Sequence, residues 1–105
     1  MDLREKLIAL SEENDIGEFY SEELKEKVYY CKLDTKDGTA LGKILQTDDN
    51  IMAKMIIKSL CDKEGKLLFK SSDIEYVNRL PIAFSTEVFE KILQFNKMIP
   101  GTEKN

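Results

Sequence analysis

Two cysteines thirty residues apart, Cys31 and Cys61, and twenty carboxylates are the groups in this 105-residue chain with a capacity for covalent, acid–base or metal chemistry. No histidine accompanies them, so the commonest general base and metal ligand is missing. A zinc site needs four good ligands, and two distant cysteines with scattered carboxylates do not make the set. A cysteine nucleophile has no imidazole to generate its thiolate, and Cys61 lies in the most apolar segment, where burial raises a thiol pKa. A catalytic carboxylate pair requires one desolvated member, whereas strings such as Ser11-Glu12-Glu13 and Ser21-Glu22-Glu23 are built for solvent. The acidic turn from Asp62 fails as a calcium loop. Counting from Asp62 puts Leu67 at position six and Asp73 at position twelve, where an EF-hand needs glycine and a bidentate glutamate. Asp34 to Gly38 fails the same count, since its glycine falls at position five. The five glycines are dispersed, so neither a P-loop nor a dinucleotide fingerprint is present. The expectation is a protein that is not an enzyme, carries no cofactor and no metal, and works by contact.

Composition bounds the contact. An apolar share of 42% and a charged share of 34% are those of a globular chain with a solvated surface. One domain over residues 1–100 is expected, followed by a flexible tail at 101–105. A net charge of -4 and a pI near 4.9 disfavour phosphate backbones, so nucleic acid is not the expected partner. Apolar runs are short, as in Met55-Ile56-Ile57, and none approaches the roughly 20 residues that span a bilayer. The opening MDLREKLIALSEEN carries charges of both signs and lacks the apolar centre of a signal peptide. A cytoplasmic protein with both cysteines reduced, in which no membrane takes part, is expected.

The elements that must form the contact surface follow from periodicity. Leu3, Leu7 and Leu10 recur at i, i+4 and i+7, a short amphipathic helix too short to stand alone. It either lies over the core or swaps onto a neighbour. Val28 to Leu33 alternates as a half-buried strand, with Tyr29, Cys31 and Leu33 on one face and Val28, Tyr30 and Lys32 on the other. Its hairpin partner is Gly17 to Ser21. Asp34-Thr35 caps a helix carrying Ala40, Leu41, Ile44 and Leu45. Asp49-Asn50 caps a central helix over Ile51 to Cys61, in which Lys54 and Lys58 form one wet stripe. Gly65 serves the turn that follows, and Leu67, Leu68 and Phe69 return to the core. Ser72 and Glu75 read as a capping box, Pro81 interrupts, and a last helix buries Phe84, Val88, Ile92 and Phe95 beside Phe89 and Leu93. The fold class expected is mainly α, of α+β type: a compact domain of four to five helices with a small N-terminal β-hairpin.

Within that order, the string Val28-Tyr29-Tyr30-Cys31-Lys32-Leu33, the turn Cys61-Asp62-Lys63-Glu64-Gly65-Lys66-Leu67-Leu68-Phe69, the Ser72-Asp73 cap and Ile92-Leu93-Gln94-Phe95-Asn96 carry a resemblance. The chain resembles the tail assembly chaperones of long-tailed bacteriophages and prophages over about Val28 to Asn96. The resemblance implies a non-enzymatic protein that binds the tape-measure protein, keeps it soluble, recruits major tail subunits, self-associates on the client and is absent from the finished virion. Such families often make a longer product by ribosomal frameshifting, and Glu103-Lys104-Asn105 is compatible with a slippery codon run. Partner-binding residues are expected at Leu3, Leu7 and Leu10, at Tyr30 as an outward-facing strand tyrosine, and at Met98 and Ile99. The alternative is a cytosolic helical adaptor or small regulator.

Overall fold

A computed structural model of the protein describes residues 2–13, 15–40 and 50–98. Helix α1 spans Leu3–Ser11, strands β1 and β2 span Ile16–Ser21 and Glu26–Cys31, and residues 35–40 are helical (α2). Helix α3 (Ile51–Ser59) runs directly into strand β3 (Leu60–Cys61). A 3-10 turn at Ser71–Asp73 leads into α4 (Ile74–Asn78), and α5 (Ile82–Phe95) ends the described fold. The α+β class and the N-terminal hairpin are as the sequence predicts.

The hairpin pairs Ile16 with Cys31 through Ser21 with Glu26 in antiparallel register. Its turn is built around Ser21, fully buried, whose Oγ accepts from the Leu24 amide at 3.2 Å while its carbonyl accepts from Lys25 at 2.7 Å. Lys25 sits at φ 59°, the left-handed residue that lets the chain reverse.

Three expectations about this region are corrected. The central helix does not continue to Cys61: Leu60 turns extended at ψ 127°, and Leu60–Cys61 pair with Tyr30 and Tyr29 as a third strand, giving the sheet order β1-β2-β3. An apolar run of helix and strand reads alike by period, so the switch leaves no mark in the pattern. Tyr30 does not face outward. It is 6% exposed, and its ring meets Phe95 edge-on at 5.2 Å and Phe19 at 6.3 Å, because the Val28–Tyr30 face of β2 is the one closed by α5. Leu67 and Leu68 stay largely in solvent, and of that run Phe69 packs on the core. The turn before them is a small hairpin of its own, with Gly65 at φ 89° and the Asp62 carboxylate accepting from the amides of Glu64 at 2.9 Å and Lys66 at 3.0 Å.

The core joins the three parts. Val28 and Tyr30 of β2, Ala53, Met55, Ile56 and Ile57 of α3, Leu60, Val77 of α4 and Phe84, Val88 and Ile92 of α5 form one buried cluster. The apolar stripe of α5 is as the sequence predicts, with Phe95 half-buried at its end. Two polar clamps hold sheet to helices. Ser59, fully buried, donates to the Cys31 carbonyl at 2.6 Å. Asn96 accepts from the Leu33 amide at 2.8 Å through Oδ1 and donates to the Ile92 carbonyl at 2.8 Å through Nδ2. Among the described residues no buried side-chain nitrogen or oxygen lacks a partner.

Helix ends differ in detail from expectation. Asp34 caps α2 reciprocally with Asp37, at 2.8 and 3.1 Å, as predicted. The capping pair before α4 is the Asp73 carboxylate on the Lys70 amide at 2.8 Å rather than Ser72 with Glu75, since the chain first makes a 3-10 turn. Asn50 starts α3 at φ 55° with no side-chain cap. The expected positions Leu41, Ile44, Leu45 and Asp49, and the tail at 101–105, lie outside the described residues.

Candidate interaction surfaces

Helix α1 is well made locally. Asp2 accepts from the Glu5 amide at 2.8 Å and Glu5 accepts from the Asp2 amide at 3.2 Å, a complete capping box. Yet it buries no residue. Leu3, Leu7 and Leu10 are 71%, 54% and 56% exposed, with Ile8 beside them. A cleft of about 700 Å³ separates Leu7, Leu10 and Glu13 from residues 32–36 of the body. Nine residues is below the roughly 12–15 at which even favourable sequences hold a helix alone. Covering each leucine is worth on the order of 1–2 kcal/mol, so a partner surface has several kcal/mol to gain here. The sequence placed these residues correctly on one stripe. What it did not reveal is that their own domain leaves them uncovered.

The other expected contact residues separate. Tyr30 belongs to the core, where burial first and the Glu18 carboxylate second raise its phenol pKa. Met98 is 48% exposed just past α5, in a helix terminus closed by bonds from Met98 to the Leu93 carbonyl at 2.8 Å and from Lys97 to the Gln94 carbonyl at 3.0 Å. Ile99 lies outside the described residues. Met98 is therefore not brought together with α1 by any contact described.

A surface that sequence reasoning missed lies between α2, α3, the 3-10 turn and the start of α4. Among the described residues its lining is apolar at Ala40, Ile57 and Ile74 and polar at Lys36, Thr39, Lys54, Lys58 and Ser71, around a cavity of about 550 Å³. Lys54 and Lys58 are half-buried rather than the fully wet stripe the pattern suggested. Lys58 also approaches Asp37 at 3.8 Å. The i, i+4 spacing of the two lysines was visible in the sequence. Their convergence with Lys36 needed the fold.

The remaining reactive groups are set for structure. Cys61 is buried, and that burial, followed by its Cys31 neighbour, pushes its thiol up to about 12, far from the thiolate a nucleophile needs. The Cys31 thiol is directed at the Gly65 carbonyl, 3.5 Å away, and both cysteines are free. Among the described residues no three of His, Cys, Asp and Glu gather as a metal site. No described helix is long and apolar enough to cross a membrane.

The described residues thus present an exposed amphipathic helix, α1, beside a small α+β body. The solved tail assembly chaperone of bacteriophage HK97 has a similar fold, with a TM-score of 0.66 over 96% of this chain and 100% of that one, at 12% sequence identity. At that identity the likeness is one of fold. No protein-family model matches the chain, and no curated protein does.

Proposed function

We propose that the protein is a tail assembly chaperone, acting without catalysis to hold a phage or prophage tape-measure protein soluble in the host cytoplasm and to bring major tail subunits to it. The carrying observation is that α1, an amphipathic helix complete in its own capping, presents Leu3, Leu7 and Leu10 to solvent. The fold shared with a phage tail assembly chaperone and the motif resemblance of Val28 to Asn96 support the same reading by independent routes. A tape measure is a long helical chain with an apolar seam. Masking it calls for many small copies, each with a modest apolar surface, because repeated weak contacts along one client add up. Leu3, Leu7, Leu10 and Met98 are the described partner-contacting residues on this reading, with Ile99 following Met98 in the chain.

Co-expression with a long helical tape-measure chain, followed by size-exclusion chromatography with light scattering, tests it. A long chain that becomes soluble and co-elutes with several copies of this protein is the expected result. A long chain that stays insoluble while this protein elutes unchanged removes the chaperone reading and leaves that of a helical adaptor.

A further inference from the structure

We infer that Cys31 and Cys61 are a reversible dithiol–disulfide site, at which a low-molecular-weight disulfide of the glutathione type oxidises the pair to a bond stapling β2 to β3. No partner protein takes part, so the site stands apart from the chaperone reading.

Strand register brings the two residues together. Cys61 lies opposite Tyr29 in the antiparallel β2–β3 ladder, and Cys31 is two residues beyond Tyr29, so both cysteine side chains leave the same face of the sheet. They are diagonal neighbours across one strand spacing. The thiols interact: after burial, the Cys31 thiol is the next cause holding the Cys61 thiol protonated, through a side-chain hydrogen bond and through charge. The end of β2 is fixed beside β3 by a separate bond, from the Oγ of buried Ser59 to the Cys31 carbonyl at 2.6 Å.

Little opposes closure. The Cys31 thiol donates to the Gly65 carbonyl at 3.5 Å, a weak bond that rotation of the side chain releases. Strand β3 is two residues long and runs straight into the turn in which the Asp62 amide donates to the Lys66 carbonyl. Such a short end can shift inward by the roughly 1 Å that separates a diagonal pair from disulfide spacing.

Exposure assigns the order of events. Cys31 is half-buried and meets solvent, whereas Cys61 is 2% exposed. The Cys31 thiolate therefore attacks one sulfur of glutathione disulfide, expelling the other as a glutathione thiolate and leaving a mixed disulfide on Cys31. Cys61 then loses its proton to solvent, and its sulfur attacks the Cys31 sulfur and expels the second glutathione thiolate. The two glutathione thiolates take up the two protons that the cysteines gave to solvent. Two electrons pass from the cysteine pair to glutathione disulfide, which is reduced as they are oxidised. Closing is the slower step, because burial holds the Cys61 thiol in its unreactive form. Helices α2 and α3 lie between the two cysteines in the chain, so the bond closes a loop that contains both and restricts the unfolded state.

Oxidation of the full-length chain by glutathione disulfide tests the assignment. After acid quenching and alkylation, intact mass and peptide mapping should show wild type with no alkylated thiol, no retained glutathione and one peptide pair linked through Cys31 and Cys61. Cys61→Ser should stop with glutathione on Cys31, and Cys31→Ser should stay unmodified while its circular dichroism is native. At a fixed ratio of reduced to oxidised glutathione, the disulfide-to-dithiol ratio of wild type should be about tenfold higher in native buffer than in concentrated urea, because the fold holds the pair together.

Wild type that retains glutathione on Cys31, or that links chain to chain, overturns the assignment. So does a ratio no higher in native buffer than in urea, a readout that needs no variant to fold. None of these results touches the chaperone reading, which stands or falls on solubilisation of the long client.

Discussion

Gly17 lies across the hairpin from Tyr30, and a Cβ built on it meets the phenol ring, 2.7 Å from Cζ and 3.0 Å from Oη. The ring's room to move is limited by Phe95, edge-on at 5.2 Å, and Phe19 at 6.3 Å. Gly17→Ala should therefore destabilise by about 1–3 kcal/mol, an overpacking cost, read from urea unfolding midpoints. Tyr30 is also where residue-scale reading of the sequence went astray. Alternation along β2 showed that Tyr29 and Tyr30 face oppositely, but which face α5 covers is a tertiary fact. Gly17 held the one available signal, since a strand glycine often marks close approach by another group. Titration belongs to this scale too. Cys61, raised to about 12 in the fold, has an unfolded thiol near 8.5, so above that pH the unfolded state releases a proton that the folded state keeps. Stability is then complete below about pH 8.5 and lost progressively as pH rises through about 12. Tyr30, raised by burial, adds loss in the same direction. Unfolding midpoints measured from pH 7 to 11 should fall above pH 9, and Cys61→Ala should flatten the first part of that decline.

Helix α5 is the element most completely readable from sequence, because fourteen residues of 3.6-period patterning leave little freedom. Its Phe84, Val88 and Ile92 are buried as the pattern requires. The short elements were not readable in the same way. Strand β3, at two residues, is created by pairing with β2, and the 3-10 turn at Ser71–Asp73 displaced the cap from Ser72 to Lys70 and Asp73. Tertiary contact, rather than local preference, decides such pieces. Asn96 ties the two element classes together, since one side-chain amide serves the Leu33 amide beyond β2 and the Ile92 carbonyl of α5. Asn96→Ala leaves the part-buried Leu33 N–H without its acceptor and should cost about 1–2 kcal/mol in thermal or chemical denaturation. Lys97, at φ 56° in the left-handed position of the helix terminus, predicts the opposite sign: Lys97→Gly should raise stability by a few tenths to about 1 kcal/mol.

For the molecule as a whole, the core and the exposed stripe of α1 are separate parts. The core cluster draws on β2, α3, α4 and α5 and takes nothing from α1. Leu7→Ser should accordingly leave the unfolding midpoint of the body within about 0.5 kcal/mol of wild type, while weakening association with partners in light scattering. A large loss of stability in that variant would mean that the arm is packed in solution. The amphipathic stripe of α1 was legible in the sequence, and so were the hairpin and the overall class. The lysine-lined groove was not, because its walls come from α2, α3, the 3-10 turn and α4, which only folding brings together.

The connection between α1 and β1 is short: Glu12 through Asp15 separate Ser11 from Ile16. Four residues of chain reach at most about 14 Å, and nine helical residues add about 14 Å. Any surface that the exposed leucines of α1 meet is therefore held on a leash of under about 30 Å from the start of β1.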